Sequence, residues 1–200
     1  MHVSIVGSGY VGTTVAACFA DLGHEVVNVD IDQSIVDAIN DGDAPIHEDG
    51  LPELAEAHAG DGGTDRLRAT TDYDAVLDTE VTFLCLPTPQ AEDGSIDLSI
   101  MQAGAEQLGE TLRDKQDYHT VVVKSTVVPG TTEERIAPLV QEPSEQASSG
   151  TVGVGMNPEF LREGTAVHDF RHPDKVVLGA DDDQTREEMH GVFAPLLDDH

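Results

Sequence analysis

The stretch GSGYVG, residues 7–12, constrains the fold of this chain more than any other feature of its sequence. It follows a short apolar run of strand length, residues 2–6, and precedes a segment, residues 11–22, with apolar and small residues at helical spacing. A second apolar run, residues 26–29, ends at Asp30. A strand, a glycine-rich turn, a helix and a second strand that closes on an acid predict a dinucleotide-binding βαβ unit.

Each glycine of this turn has a physical role in such a unit. Gly7 allows the tight turn, Gly9 lets the backbone approach a pyrophosphate, and Gly12 lets the helix pack closely on the strand. Asp30 lies eighteen residues after Gly12 (30 minus 12), where an acid accepts from the ribose 2′-hydroxyl. Its carboxylate repels a 2′-phosphate, and Ile31 supplies no compensating arginine. The pattern therefore predicts NAD rather than NADP, against the alternative of a glycine-rich bend that binds nothing.

The size and cysteine content limit the class of protein. The 200 residues, 21.3 kDa, suffice for a substantial core. There is no long apolar run and no signal-peptide pattern, which predicts a soluble protein of the cytoplasm. The two cysteines, Cys18 and Cys85, lie in a helical pattern and at the end of an apolar strand, so no disulfide framework is indicated.

The charge balance is unusual. The chain has 39 acidic and 10 basic residues, a formal net charge of -29. Nucleic acid and anionic membranes are poor partners for such a surface. The acids are scattered over loops and helix faces, which favours a protein adapted to a high-salt cytoplasm, where a Debye length of ~3 Å at ~1 M salt screens the repulsion. An ordinary acidic enzyme is the alternative.

Apolar runs alternate with helical patterns along the whole chain. Strands are predicted at residues 2–6, 26–29, 66–70, 81–86, 120–124, 151–155 and 175–179, and helices at residues 11–22, 34–40, 98–112, 131–140 and 183–197, with a short acidic helix after residue 50. Residues 141–150 are expected to form a mobile surface loop. This alternation predicts an α/β fold, a doubly wound, mostly parallel sheet with helices on both faces and ligands at the carboxyl ends of its strands.

Four segments that follow predicted strands converge on that edge of the sheet. They are GSGYVG, LPTPQ, STVVPGT and MNPEFLREG. The chain has no Walker A pattern, no Cys/His zinc spacing and no GxSxG elbow, so neither a metal nor a serine nucleophile is expected.

Taken in order, GSGYVG, LPTP, KSTVVPGT and NPEFLREGTAVHDFRHPDKVVLG resemble the nucleotide-sugar dehydrogenases, in particular the UDP-glucose 6-dehydrogenases. The resemblance implies that residues 1–200 are an NAD-binding Rossmann-like domain, the N-terminal half of the family's architecture. It implies oxidation of the C6 alcohol of a UDP-sugar to a carboxylate with two NAD molecules, and a homodimer at full length. The family's thioester-forming cysteine lies on a C-terminal domain, so the 200-residue chain is expected to be inactive alone.

The resemblance also assigns site residues. Those matching catalytic positions are Thr126, Glu159 and Glu163. Those matching the cofactor pocket are Gly7, Gly9, Tyr10, Val11, Gly12, Asp30, Leu86, Pro87, Thr88, Ser125, Thr126 and Glu163. Those matching the substrate site are Glu159, Phe160, Leu161, Arg162 and Glu163.

The chemistry of these residues suits alcohol oxidation. As hydride leaves, a proton must be removed, and a carboxylate can accept it directly or through a water held by a threonine hydroxyl. If their segment is helical, Glu159 and Glu163 share a face, and repulsion should raise the pKa of at least one. The alternative is a pair of carboxylates near a helix start. Lys124 and Arg162 flank these residues and would offset local negative charge.

One position departs from the family pattern, Cys85 is the only tempting substitute for the family's cysteine, and several functions stay open. Ile35 stands where the family commonly has a basic residue beside the adenosine, so cofactor affinity is expected to be weak. Cys85 ends a hydrophobic strand without a neighbouring His or Lys, which favours a buried thiol over a nucleophile. The alternatives are a GDP-mannose or other nucleotide-sugar dehydrogenase, a 3-hydroxyacid or 6-phosphogluconate dehydrogenase, and a stand-alone NAD-sensing module.

Overall fold

The computed structural model describes residues 1–147 and 150–198. The strands found there are β1 (His2–Val6), β2 (Glu25–Val29), β3 (Leu67–Thr70), β4 (Val81–Leu84), β5 (His119–Val123), β6 (Val152–Met156) and β7 (Gly179–Ala180). The α-helices are α1 (Tyr10–Asp21), α2 (Gln33–Asn40), α3 (Leu51–His58), α4 (Ser99–Leu112), α5 (Ala137–Ala147), α6 (Ala166–Arg171) and α7 (Asp183–Asp198). A 3₁₀ helix, Tyr73–Asp78, precedes β4, and a π-helical turn, Thr132–Ile136, leads into α5.

One sheet organises the molecule. Its strand order is β3-β2-β1-β4-β5-β6-β7, with every pairing parallel except that of β6 with β7. The order reverses between β1 and β4, so the connections leaving these two strands diverge and open a crevice at their carboxyl ends. The predicted doubly wound α/β fold is confirmed.

Apolar residues cover both faces of the sheet, as parallel sheets require. On one face, α1, α3, α6 and α7 bury a cluster that contains four of the five phenylalanines: Phe19, Phe83, Phe170 and Phe193. Phe19 is its centre, with ring centroids 5.0–5.5 Å from the other three. On the other face, α4 and α5 pack a cluster rich in Leu and Val. The fifth phenylalanine, Phe160, is excluded from the core and 52% exposed.

A chain of buried polar side chains crosses the centre of the sheet. Nε2 of His119 lies 2.7 Å from the Thr82 hydroxyl, which lies 2.6 Å from the Ser4 hydroxyl. Nδ1 of His119 lies 3.1 Å from the Thr79 carbonyl oxygen and must carry the proton, since a carbonyl only accepts. His119 is fully buried, and burial lowers its pKa to about 3. The imidazole is therefore neutral in the folded protein.

The predicted loop at residues 141–150 is wrong for its first part. Helix α5 continues to Ala147, with Pro143 inside it and Ser144 buried. The side-chain amide of Gln141 donates to the Val152 carbonyl oxygen at 2.9 Å and so connects the helix to β6. Packing on the sheet outweighs the weak helix propensity of a Pro- and Ser-containing segment. Residues 148 and 149 lie outside the described part of the chain.

The strand predicted at residues 175–179 is also mostly wrong. β7 consists of Gly179–Ala180 alone, and residues 175–178 are irregular. The Asn157 side chain donates to the Val177 carbonyl oxygen at 2.8 Å, so a side chain, and not the backbone of a neighbouring strand, satisfies this carbonyl group. The other predicted strands are found with ends shifted by up to two residues.

None of the helices described at residues 1–147 and 150–198 has the length and apolar character that crossing a bilayer demands.

Candidate active site

The GSGYVG turn has almost no room for side chains at two of its glycines. Gly7 has a φ of +98°, and a Cβ atom there would lie 2.7 Å from the Cys85 carbonyl oxygen. A Cβ at Gly12 would lie 1.8 Å from the Gly7 carbonyl oxygen. These contacts hold the start of α1 against the ends of β1 and β4, as the sequence pattern predicts.

Gly9 is different, because a Cβ built there would meet nothing within 4 Å. It is the N-cap of α1, and no side chain caps that helix end. The backbone N–H groups of the first turn of α1 therefore face open space at the crevice, where an anion is stabilised by these donors and by the helix dipole. The absence of an acidic side chain in that first turn leaves the site free for a phosphate.

Asp30 lies at the end of β2, beside the glycine turn. One carboxylate oxygen accepts from the Ser8 amide at 2.5 Å and the other from the Asp32 amide at 2.9 Å. Since each carboxylate oxygen has two lone pairs, both can still accept from a ribose hydroxyl. The next residue, Ile31, is 91% exposed and brings no positive charge for a 2′-phosphate.

The connections after β4 and β5 are tied to each other. The Ser125 hydroxyl donates to the Leu86 carbonyl oxygen at 2.5 Å, and the Thr88 hydroxyl donates to the Thr126 carbonyl oxygen at 2.9 Å. Leu86 also packs near the glycine turn, 3.1 Å from where a Gly7 Cβ would be. The exposed Thr126 side chain thus lies on the connection after β5, which is held against the connection that leaves β4 at the crevice.

The segment that carries the two glutamates leaves β6 without forming a helix. Residues 157–162 are irregular, and α6 begins at Ala166. Glu159 folds back on its own segment and accepts a short hydrogen bond from the Leu161 amide. The condition under which Glu159 and Glu163 would share a helix face is therefore not met, because a carboxylate that bonds the local backbone competes with helix formation.

Asn157 anchors the start of this segment. Its backbone amide donates to the Val123 carbonyl oxygen at 3.0 Å, and its side-chain oxygen accepts from Nζ of Lys124 at 2.8 Å. Lys124 is 5% exposed, and burial lowers the pKa of its ammonium group. Lys124 is therefore a buried anchor of the site and not merely a charge that offsets nearby acids.

Glu48 joins the glycine turn to the segment after Glu159. No motif in the sequence distinguishes it among the 39 acidic residues of the chain. Its carboxylate, in a residue 1% exposed, contacts the Tyr10 hydroxyl at 2.7 Å. It also accepts from the amides of Gly164 at 2.8 Å and Ala166 at 2.7 Å. Burial raises the pKa of Glu48, but these hydrogen bonds outweigh it and hold the pKa below its ordinary value.

Arg162 is held by Asp169 rather than left free. Its guanidinium donates to both carboxylate oxygens, at 3.0 and 2.7 Å, and its backbone amide donates to one of them at 3.1 Å. These hydrogen bonds hold the pKa of Asp169 far below its usual range. The three hydrogen bonds between Arg162 and Asp169 fix the backbone immediately before Glu163. The exposed side chain of Glu163 has no hydrogen bond or ion pair with the described residues.

A cavity of about 550 Å³ lies beside this segment, and its lining carries basic as well as acidic side chains. The charged residues of the lining are Lys124, Arg162, Lys175, Asp169 and Asp174, and Phe160 and two histidines lie beside them. Nζ of Lys175 lies 5.1 Å from the centre of the Phe160 ring, a cation–π contact.

Both cysteines are poor nucleophiles. Cys18 and Cys85 are buried, and burial raises the pKa of each thiol to about 12. Lys124, distant in sequence from Cys85, lies close enough to lower that pKa, but the effect of burial is larger. The predicted structural role of Cys85 agrees with this setting, although the inference that no lysine is near it is wrong.

Comparison with known proteins identifies the family. Residues 1–197 match the model of the NAD-binding domain of the UDP-glucose/GDP-mannose dehydrogenase family. The chain belongs to this family. It is 61% identical over 198 residues to the UDP-glucose 6-dehydrogenase of Haloferax volcanii, a match that covers 99% of this chain and 45% of the relative.

Two solved structures are similar in fold to this family member. A ternary complex of GDP-mannose dehydrogenase from Pseudomonas aeruginosa superposes with a TM-score of 0.90 at 41% identity, covering 97% of this chain and 44% of the other. The UDP-glucose dehydrogenase of Pyrobaculum islandicum gives a TM-score of 0.87 at 41% identity, covering 96% and 44%. The chain thus spans less than half the length of these relatives.

The residues present fit the cofactor that the family's domain binds. The space over Gly9 is open and would suit a diphosphate, and Asp30 has free lone pairs for ribose hydroxyls. Ile31 and the carboxylate of Asp30 suit NAD better than NADP, because nothing at this position offsets the charge of a 2′-phosphate.

Proposed function

We propose that this chain is the cofactor-binding half of an NAD-dependent nucleotide-sugar 6-dehydrogenase that oxidises UDP-glucose to UDP-glucuronate. The Tyr10 hydroxyl of the glycine turn lies 2.8 Å from the Arg162 carbonyl oxygen, so the turn that bears Glu163 is held beside the cofactor-binding helix start. A carboxylate next to the nicotinamide end of a dinucleotide site is the arrangement that alcohol oxidation needs.

The reaction converts a primary alcohol, two NAD⁺ and one water into a carboxylate, two NADH and three protons. NAD, when bound, supplies the hydride acceptor. Glu163 accepts the alcohol proton, directly or through a water that the Thr126 hydroxyl holds, because its carboxylate is exposed and uncommitted. Glu159 and Phe160 face the sugar, and Lys175, which lines the neighbouring cavity, offsets part of the charge of the nucleotide diphosphate.

UDP-glucose is favoured over GDP-mannose by the 61% identity to the Haloferax enzyme. GDP-mannose is the second candidate, because the GDP-mannose dehydrogenase complex superposes with a TM-score of 0.90. A fusion of this chain to the part of the Haloferax relative that it does not match should reduce NAD steadily with one of the two sugar nucleotides. No NADH formation with either would refute the proposed reaction.

The setting of the protein follows from the same proposal. An enzyme that consumes NAD works where NAD is maintained, which places it in the cytoplasm. The charge of -29 and the Haloferax relative support a cytoplasm of high salt. The complete enzyme is proposed to be a homodimer, which sedimentation of the fusion would test.

The cofactor assignment is tested by Asp30→Ala. Losing a charge-assisted hydrogen bond to the ribose should weaken NAD binding roughly 10- to 100-fold, since such bonds contribute about 1.5–3 kcal/mol. NADP binding should weaken far less, so the preference for NAD should shrink. Calorimetric titration of both cofactors in molar KCl measures this, with the exposed Asp37→Asn as the matched control. Equal NAD and NADP affinity in the unaltered chain would overturn the role of Asp30.

A further inference from the structure

Glu48 is a buried charge without a cationic partner among the described residues. Its three contacts are with neutral donors: one phenol and two backbone amides. Asp169, which is also near, adds repulsion to the carboxylate. A buried carboxylate is costly unless its lone pairs are satisfied, so its position here depends on all three donors being in place.

The donors come from two segments that are far apart in sequence. The Tyr10 contact spans 38 residues, and the Gly164 and Ala166 contacts span 116 and 118. Tyr10 belongs to the first turn of α1 in the candidate cofactor site, whereas Gly164 and Ala166 lie one and three residues after Glu163. Glu48 itself lies on the connection between α2 and α3, outside both motifs.

The contacts fix the backbone on both sides of Glu163. Before it, the Arg162 carbonyl oxygen faces the Tyr10 hydroxyl at 2.8 Å. After it, Gly164, with a φ of +85°, turns its amide toward Glu48. The Tyr10 hydroxyl lies between the Glu48 carboxylate and the Arg162 carbonyl oxygen. Burial, and to a smaller extent the hydrogen bond to Glu48, raises the pKa of Tyr10, so the hydroxyl keeps the proton that it donates. The Glu163 side chain is therefore free while its backbone is held.

We propose that Glu48 is a positioning residue that sets the distance between the cofactor-binding turn and the Glu163 carboxylate. The proposal rests on the proposed function and deepens it, since it assigns the geometry of proton removal to a residue that touches neither cofactor nor substrate. A shift of about 1 Å in a reacting group can cost on the order of 100-fold in rate.

The test compares Glu48→Gln with Glu56→Gln, a change of the same kind at an exposed site on α3. An amide has one acceptor oxygen and two N–H donors, so the side chain introduced by Glu48→Gln would turn a donor toward one of the two backbone amides. In the NAD-saturated chain, nuclear Overhauser contacts between the Tyr10 ring and the amides of Gly164 and Ala166 should disappear, and hydrogen exchange of both amides should accelerate at least tenfold. NAD affinity should stay within threefold.

The fusion enzyme supplies the second measurement. Glu48→Gln should lower kcat roughly 10- to 100-fold while the KM for NAD changes less than threefold, and Glu56→Gln should change neither. Glu48→Asp, which keeps the charge on a side chain one methylene shorter, should lie between them and serves if the glutamine variant does not fold. Tyr10→Phe combined with Glu48→Gln should cost little more than Glu48→Gln alone.

The outcomes separate the two proposals. A fusion that never turns over refutes the proposed reaction, while the nuclear Overhauser and exchange data still decide the positioning role. A fusion that turns over, with kcat of Glu48→Gln within twofold of the unaltered enzyme or with the Tyr10 contacts intact in that variant, overturns the inference about Glu48 and leaves the reaction standing.

Discussion

Individual residues of this chain take their chemical character from burial more than from residue type. Glu48 stays ionised in the interior because three donors surround it, whereas the thiols of Cys18 and Cys85 are kept protonated by the same kind of environment. Lys124 is one of three lysines in the chain and is buried as an anchor instead of being solvated. Motif residues therefore differ in accessibility even where the motif is intact.

The cysteines give a prediction at this scale. At pH 8, neither thiol of the folded chain should react with Ellman's reagent within an hour, because a pKa of about 12 leaves on the order of one thiol in ten thousand ionised. Both should react at once in guanidinium chloride. The chain alone should not turn over UDP-glucose, and NADH production that Cys85→Ser abolishes would contradict this account of the thiols.

At the level of elements, the cofactor site is a helix start pressed against two strand ends. In the same glycine turn, Gly12 has no room for a methyl group, whereas Gly9 is open. Packing explains the glycine at position 12, and we expect a bound diphosphate to explain the glycine at position 9. The two positions form a matched pair of experiments on one turn.

Gly12→Ala should destabilise the fold by about 1–3 kcal/mol, because the added methyl group collides with the Gly7 carbonyl. Gly9→Ala should leave the free energy of unfolding within about 0.5 kcal/mol, since its methyl group meets nothing and its φ of -69° suits alanine. Gly9→Ala should nevertheless weaken NAD binding more than tenfold. Denaturant melts measure the first effect and calorimetry the second. Unchanged NAD affinity in Gly9→Ala would show that the diphosphate does not bind over Gly9.

The buried polar chain in the sheet makes stability depend on pH. Burial lowers the pKa of His119 from 6.5 to about 3, so the unfolded chain binds the extra proton first as pH falls. Full stability is present above pH 6.5 and is lost progressively below it. This group alone should lower the free energy of unfolding by about 2 kcal/mol between pH 7 and pH 5.

Denaturant melts at these two pH values check the His119 prediction. His119→Gln should reduce the pH dependence between them, whereas His47→Gln, at an exposed position, should leave it unchanged. His24, whose pKa burial also lowers, contributes in the same direction and accounts for part of the remaining slope. Identical slopes for the unaltered chain and His119→Gln would show that the imidazole is not buried neutral.

For the whole molecule, the net charge of -29 dominates. Screening shortens the Debye length from about 10 Å at 0.1 M to about 3 Å at 1 M, so the midpoint of thermal unfolding should rise over that range of KCl. A variant with glutamine at the exposed positions Glu53, Glu56, Glu145 and Glu187 should show a smaller rise. A midpoint that stays flat or falls would refute adaptation to high salt.

Sequence by itself determined the βαβ unit, the glycine turn and the order of most strands and helices, because these follow from local periodicity and from spacing within about thirty residues. The cofactor role of Asp30 rests on the same spacing and stays a prediction. Tertiary structure alone decided the end of α5, the irregular course of residues 157–162 and the place of Glu48. The contacts that settle these features join residues up to 152 positions apart. Such hydrogen bonds depend on which segments the sheet brings together, and they leave no periodic trace in the chain.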